Sequence, residues 1–192
     1  ASDVYKRQPV NNAAFAIHSR LHMNHPDLNA AAHSHSMYGK TFSTLGKVLD
    51  PISQDSCAFY ERTAMFADYD GVANGPDEGI NIAKALGDKD FVILQNHGIL
   101  TTGTMVDTTI WYFLNMEDAC KSQLLAEAVG KPIVIPHDTA CATRDYVAND
   151  LSAYVSFQPT IDVDVAFAFK GRSYFKSSLT KFCFFILWYL LL

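Results

Sequence analysis

Apolar positions along this chain follow two rhythms, one spaced by threes and fours and the other in short unbroken runs. The first rhythm opens near the N-terminus: Phe15, Ile17, His18, Leu21 and His22 predict a helix that Asn11 and Asn12 cap and Pro26 stops. Pro26-Asp27 reads as a turn, and residues 28–32 form an apolar run of small side chains, suited to a buried strand with close neighbours. Residues 38–45 predict a short helix or turn, Leu49-Asp50-Pro51 a reversal, and residues 54–66 a helical turn followed by a short strand. Pro76-Asp77-Glu78 is a helix start, with proline in the first turn and acids facing the N-terminal dipole. Ile80, Ala83 and Leu86 continue it and Gly87 ends it. Residues 91–94 are continuously apolar, as in a strand covered on both faces. The longest helix is predicted after Thr104-Met105-Val106-Asp107, which has capping-box spacing with Asp107 in the acidic role. Val106, Ile110, Phe113, Leu114 and Leu124 give that helix an apolar face; Gly130 terminates it, and residues 131–136 read as extended. Helices alternating with apolar strands predict a layered α/β domain.

Composition narrows the class. With 192 residues, 49% hydrophobic and 18% charged, the chain fits one domain with a substantial core. A net charge of -5 and the lack of any basic run leave no electrostatic footprint for nucleic acid. Cys57, Cys120, Cys141 and Cys183 are far apart, without a CxxC pair, and read as reduced thiols of a cytoplasmic protein.

Both ends are atypical. Residues 1–8, with Asp3-Val4-Tyr5-Lys6-Arg7-Gln8, read as translated sequencing adapter, so the domain is expected over residues 9–165, truncated at its N-terminus. Residues 166–192 read as an atypical tail, a basic, serine-rich stretch over 170–181 followed by eleven apolar residues. A spanning helix needs about 20 such residues. Out-of-frame sequence is the favoured reading there, with a cut membrane anchor and a core-completing element as the others.

The candidate chemistry lies in histidines. His33 and His35 stand two apart at the end of an apolar run, so a strand presents both imidazoles to one side. His97, in Asn96-His97-Gly98 at the end of the run 91–94, offers a third. Three imidazoles suit a borderline-soft divalent ion and leave one position open, as in catalytic zinc sites. The competing reading is that two histidines simply end a strand. His18 and His22, at i and i+4, lack the glutamate of HExxH. For them, helix packing outweighs metal, with His18 partly buried and His22 and His25 solvated. His137 reads as an exposed loop residue. Asp55 is the candidate base near the metal, with helix capping as its alternative, and Lys40 and Lys47 are candidate phosphate partners.

Ile17-His18-Ser19, then Pro26-Asp27-Leu28-Asn29-Ala30 leading to His33-Ser34-His35-Ser36, resembles the class II aldolase/adducin family. Ile93-Leu94-Gln95-Asn96-His97-Gly98-Ile99-Leu100, followed by a glycine and a long helix, carries the second part of the resemblance, which covers about residues 10–130. It implies a three-layer α/β/α fold with a central, largely antiparallel sheet, often assembled as a homotetramer. It also implies that His33, His35 and His97 hold zinc or a related ion that polarises a hydroxy-carbonyl substrate. The family's aldolases use a glutamate nineteen residues before the first histidine, and Ala14 stands there. Asn11-Asn12-Ala13-Ala14-Phe15 and Pro51-Ile52-Ser53 resemble the adducin-like branch. Two readings follow. One is a metal-dependent lyase or epimerase acting on a small, sugar-phosphate-like hydroxy-carbonyl compound. The other is a non-catalytic oligomerising head that binds a protein partner such as actin or spectrin. The family's phosphate-binding loops are expected in sequence preceding this chain.

Overall fold

A computed structural model describes residues 12–68, 71 and 76–169. Its centre is a four-stranded sheet formed by β1 (Ala30–Ser34), β2 (Thr63–Phe66), β3 (Phe91–Leu94) and β4 (Gly98–Gly103), in the order β1-β4-β3-β2. β4 pairs antiparallel with both β1 and β3, while β2 runs parallel to β3. The parallel pair needs a crossover, supplied by helix α3 (Pro76–Leu86).

Alternation along the strands sorts the core into two halves. Ala31, Val92, Leu94 and Leu100 face one way, and pack with Ile17 and Leu21 of helix α1 (Asn12–Asn24) and with Ile82, Ala83 and Leu86 of α3. Ala32, Phe91, Ile93 and Ile99 face the other way. They meet Phe42 of α2 (Met37–Ser43) and Tyr112, Phe113, Met116 and Cys120 of α4 (Val106–Val129). The result is the expected three-layer α/β/α arrangement with a mostly antiparallel sheet. Each large apolar side chain buried from the strands contributes about 2 kcal/mol. Helices α5 (His137–Val147) and α6 (Asp150–Phe169) follow, with Ala153 of α6 joining the second half of the core.

Several local expectations are corrected. β1 begins and ends two residues later than the apolar run, because its partner on β4 sets the register Ala30↔Gly103 to Ser34↔Ile99. Strand β4 was not anticipated. The start of α4 is not a capping box: Met105 is the cap residue, and the Thr104 hydroxyl donates to Asp150 at 3.1 Å instead. Phe15 is exposed rather than on the buried face of α1. His137 opens a helix instead of sitting in a loop. Pro159 lies inside α6. Cys57, Cys120 and Cys141 are free thiols. Among the described residues no helix is long and apolar enough to cross a membrane. Residues 1–8, Asn11, the tail from 170 onward and Cys183 lie outside the described residues.

Candidate metal centre

The pairing of β1 with β4 brings the three histidines together. His33 lies within β1, His35 one residue beyond its end, and His97 in the three-residue turn between β3 and β4. That turn closes on a hydrogen bond from the His97 amide to the Leu94 carbonyl at 3.0 Å. Asn96 takes the left-handed conformation it requires, at φ 57°, which asparagine tolerates better than most residues. Gly98 then lets β4 approach β1 closely: a Cβ there would sit 2.6 Å from the Ser34 carbonyl oxygen and 3.6 Å from the His33 ring. The glycine is therefore needed for close approach, while the positive φ falls on its neighbour Asn96.

The rings form a compact set, with centroids 5.3 Å apart for His33 and His35, 4.8 Å for His33 and His97, and 4.6 Å for His35 and His97. One ring nitrogen from each lies within 4.8 Å of the others. His33 Nδ1 donates to the Ile99 carbonyl at 2.9 Å, which fixes its tautomer and leaves the Nε2 lone pair for a ligand. Burial, reinforced by the His97 charge, lowers the His33 pKa to about 3, and burial together with His35 lowers His97 to about 4. At neutral pH these rings are uncharged, the form that binds metal. Donor type, tautomer and protonation thus fit a three-nitrogen divalent-metal centre.

His35 and His97 open into a cavity of about 440 Å³ that is also lined by Lys40, Thr41, Thr44 and Asn96. Lys40 brings the one cationic side chain among these. Lys47 does not line it; it pairs with Asp50 at 3.3 Å and with Glu127. Asp55 is exposed at the start of the 3-10 turn Ser56–Phe59, makes no side-chain cap bond and does not line the cavity.

Glu117 of α4 was missed from sequence. Its buried carboxylate accepts hydrogen bonds from the Ser36 hydroxyl at 2.5 Å and from the Tyr38 and Gly39 amides at 2.8 and 2.6 Å. It thereby ties the chain just after His35 to the far helix. A carboxylate at helical spacing from Phe113 and Cys120, on the apolar face of the helix, was the available signal.

The other histidines differ from expectation. His18 is only 2% exposed, neither ring nitrogen has a partner, and burial with the nearby His22 lowers its pKa to about 4. His22 and His25 are not simply solvated: they bond the carbonyls of Leu28 and Ala83, each at 2.9 Å. Ala14, one turn before His18, places a methyl group nineteen residues before His33.

Comparisons with known proteins agree with this architecture. Residues 2–124 match the family described as Class II Aldolase and Adducin N-terminal domain. The chain is 37% identical over 166 residues to the decarboxylase NovR of Streptomyces niveus, covering 86% of this chain and 62% of NovR. It is 36% identical over 124 residues to alpha-adducin of Rattus norvegicus, covering 63% of this chain but 17% of that protein. The solved L-fuculose 1-phosphate aldolase from Glaciozyma antarctica PI12 superposes with a TM-score of 0.76 at 39% identity, over 85% of this chain and 63% of that one. The chain thus spans about three fifths of the lengths of NovR and of this aldolase. Shared fold, sequence match and a histidine set at the β1–β4 end lead to one conclusion: the chain belongs to the class II aldolase and adducin family.

Proposed function

We propose that this protein is a metal-dependent lyase that breaks or rearranges a bond beside the carbonyl of a small hydroxy-carbonyl compound. The observation that carries the reading is the convergence of His33, His35 and His97, with ring nitrogens within 4.8 Å. A divalent ion held by them, zinc in this proposal, supplies Lewis-acid polarisation of a carbonyl oxygen. The chain's own groups do the rest. The Ile99 carbonyl orients His33, and Glu117 anchors the segment after His35. Lys40 faces the cavity, where its ammonium can meet a substrate carboxylate or phosphate. The names of a decarboxylase and of an aldolase among the relatives support chemistry in which negative charge develops next to a carbonyl.

Proton transfer is the open role in this scheme, since Ala14 can neither give nor accept a proton. Asp55, which sequence offered for it, does not line the cavity, so we assign it to a carboxylate of a neighbouring subunit in a homotetramer. Exposed Val129 and Ile133, 89% and 91% accessible, support assembly of that kind. The protein is taken to act in the cytoplasm, in keeping with its free thiols.

A specific observation also favours a second reading, an adducin-like head that binds a protein partner such as actin or spectrin. Ala14 and the match to alpha-adducin support it. A single assay separates the two. Metal-loaded protein is incubated with a panel of hydroxy-carbonyl and 2-oxo acid compounds, and release of carbonyl product or carbon dioxide is followed. The enzyme reading expects turnover that falls by at least about a hundredfold in His35→Ala. No product release by either protein favours the binding head, and equal release by both overturns the assignment of the chemistry to the three histidines.

A further inference from the structure

A second group of metal-type ligands lies elsewhere on the chain. His137 and Cys141 stand one turn apart on α5, so their side chains share a face of that helix. Glu61, in the turn before β2, is held in the left-handed region at φ 59° and extends its carboxylate toward them. The Cys141 sulfur is 3.7 Å from Glu61 Oε2 and 3.9 Å from His137 Nδ1, and that nitrogen is 3.8 Å from Glu61 Oε1. Around a tetrahedral zinc ion, sulfur, nitrogen and oxygen ligands stand about 3.4–3.6 Å apart, given metal–ligand bonds of about 2.0–2.3 Å. One ligand atom from each of the three residues lies within 4.8 Å of the others, so the donors draw in by at most about 1 Å to reach that geometry.

We propose that Glu61, His137 and Cys141 form a second, surface metal site, selective for a borderline-soft divalent ion such as zinc over magnesium or calcium. Thiolate and imidazole together set that preference, since hard cations favour oxygen donors. The site is open to solvent, with the His137 and Glu61 side chains 61% and 49% exposed, so an ion can enter and a water can take the fourth position. Binding carries two local costs. The Tyr60 hydroxyl, 3.2 Å from His137 Nδ1, must release that nitrogen. Arg144, 3.3 Å from Glu61 Oε2, must share the carboxylate, and Oε1, the oxygen nearer His137, stays available to the ion. As the sulfur–metal bond forms, the thiol proton passes to solvent and no oxidation state changes. The doubly charged ion is then neutralised by one thiolate and one carboxylate, with Arg144 alongside.

This proposal does not depend on the three-histidine centre, and cobalt(II) distinguishes the two. Only the Glu61 site offers a sulfur ligand, so only it gives a thiolate-to-cobalt charge-transfer band in the near ultraviolet. Cobalt titration should produce that band, saturating at one equivalent in His35→Ala, where the three-histidine centre is silenced, and by two equivalents in the full chain. It should persist in His35→Ala, vanish in Cys141→Ser and need about tenfold more metal or beyond in Glu61→Gln. Excess magnesium should not displace the cobalt, whereas zinc should. A full chain that shows no band, or a band that survives Cys141→Ser, overturns the proposal. So does unchanged cobalt affinity in His137→Ala.

Discussion

The molecule carries two sets of histidines that look equally suggestive on paper and behave differently in the fold. His18 and His22 are spaced i and i+4 on one helix, a separation that can bind metal. Yet His22 gives Nδ1 to the Leu28 carbonyl, and His18 is buried with neither ring nitrogen hydrogen-bonded. His33, His35 and His97 are scattered over sixty-five positions of sequence, yet their rings meet within 5.3 Å because the β1–β4 register demands it. Spacing along one element proposes a site. Register between elements, with an opening to solvent, is what makes one usable.

Acid should expose both sets through stability, and this is the largest effect expected. His18, His33 and His97 are neutral in the metal-free fold, with pKa values lowered to about 4, 3 and 4 from the ordinary 6.5. Between those values the unfolded chain binds the extra protons. Stability is therefore complete above pH 6.5 and is lost as pH falls from 6.5 toward 4 and then 3. The His18 contribution alone is on the order of 3 kcal/mol. Denaturant titrations of metal-free protein at a series of pH values should show this fall, and His18→Leu should remove the helical share of it. A flat profile from pH 6.5 to 4 would contradict the assignment of neutral buried rings.

A smaller effect tests the register itself. In Gly98→Ala the new methyl meets the Ser34 carbonyl oxygen, a backbone atom that cannot swing aside. The expected destabilisation is about 1–3 kcal/mol, accompanied by weaker metal binding as His33 and His97 move apart. Full metal affinity in a destabilised Gly98→Ala would show that the histidine set does not depend on this close approach.

The smallest effect belongs to His18→Leu at neutral pH. Removing two unpartnered buried nitrogens while keeping similar volume should leave stability unchanged or raise it by about 1 kcal/mol, without altering metal affinity. A clear loss of affinity would place His18 in the working site and erase the contrast between the two sets.

The sequence was most informative where signals were local. Pro76 with two following acids, Gly87, and the unbroken run of β3 marked elements that the fold reproduces. It was less so where a distant partner decides. Nothing near residue 30 announces that pairing with Gly103 will shift β1 along the chain and carry His33 inside the strand. Strand β4 went unrecognised because Gly98 and Gly103 bracket only four residues, although the β-branched Ile99, Thr101 and Thr102 were a usable cue. Thr104 looked like a helix cap until Asp150, forty-six residues later, claimed its hydroxyl. At the site, the three histidines were legible from spacing and family resemblance. Glu117 was not, since its partners lie about eighty residues away.

The central claim is that the sheet edge, not the helix, carries a metal site, and metal affinity tests it most directly. Zinc binding should be measured by calorimetry on the full chain, on His33→Ala and His35→Ala, and on His22→Ala, with Cys141→Ser as the common background. That background silences the surface site. The account predicts one bound ion per chain in the Cys141→Ser background and with His22→Ala added, and loss of binding by orders of magnitude with either sheet-edge variant, each still folded by circular dichroism. Zinc retained at full affinity without His33 or His35, or lost without His22, would contradict it.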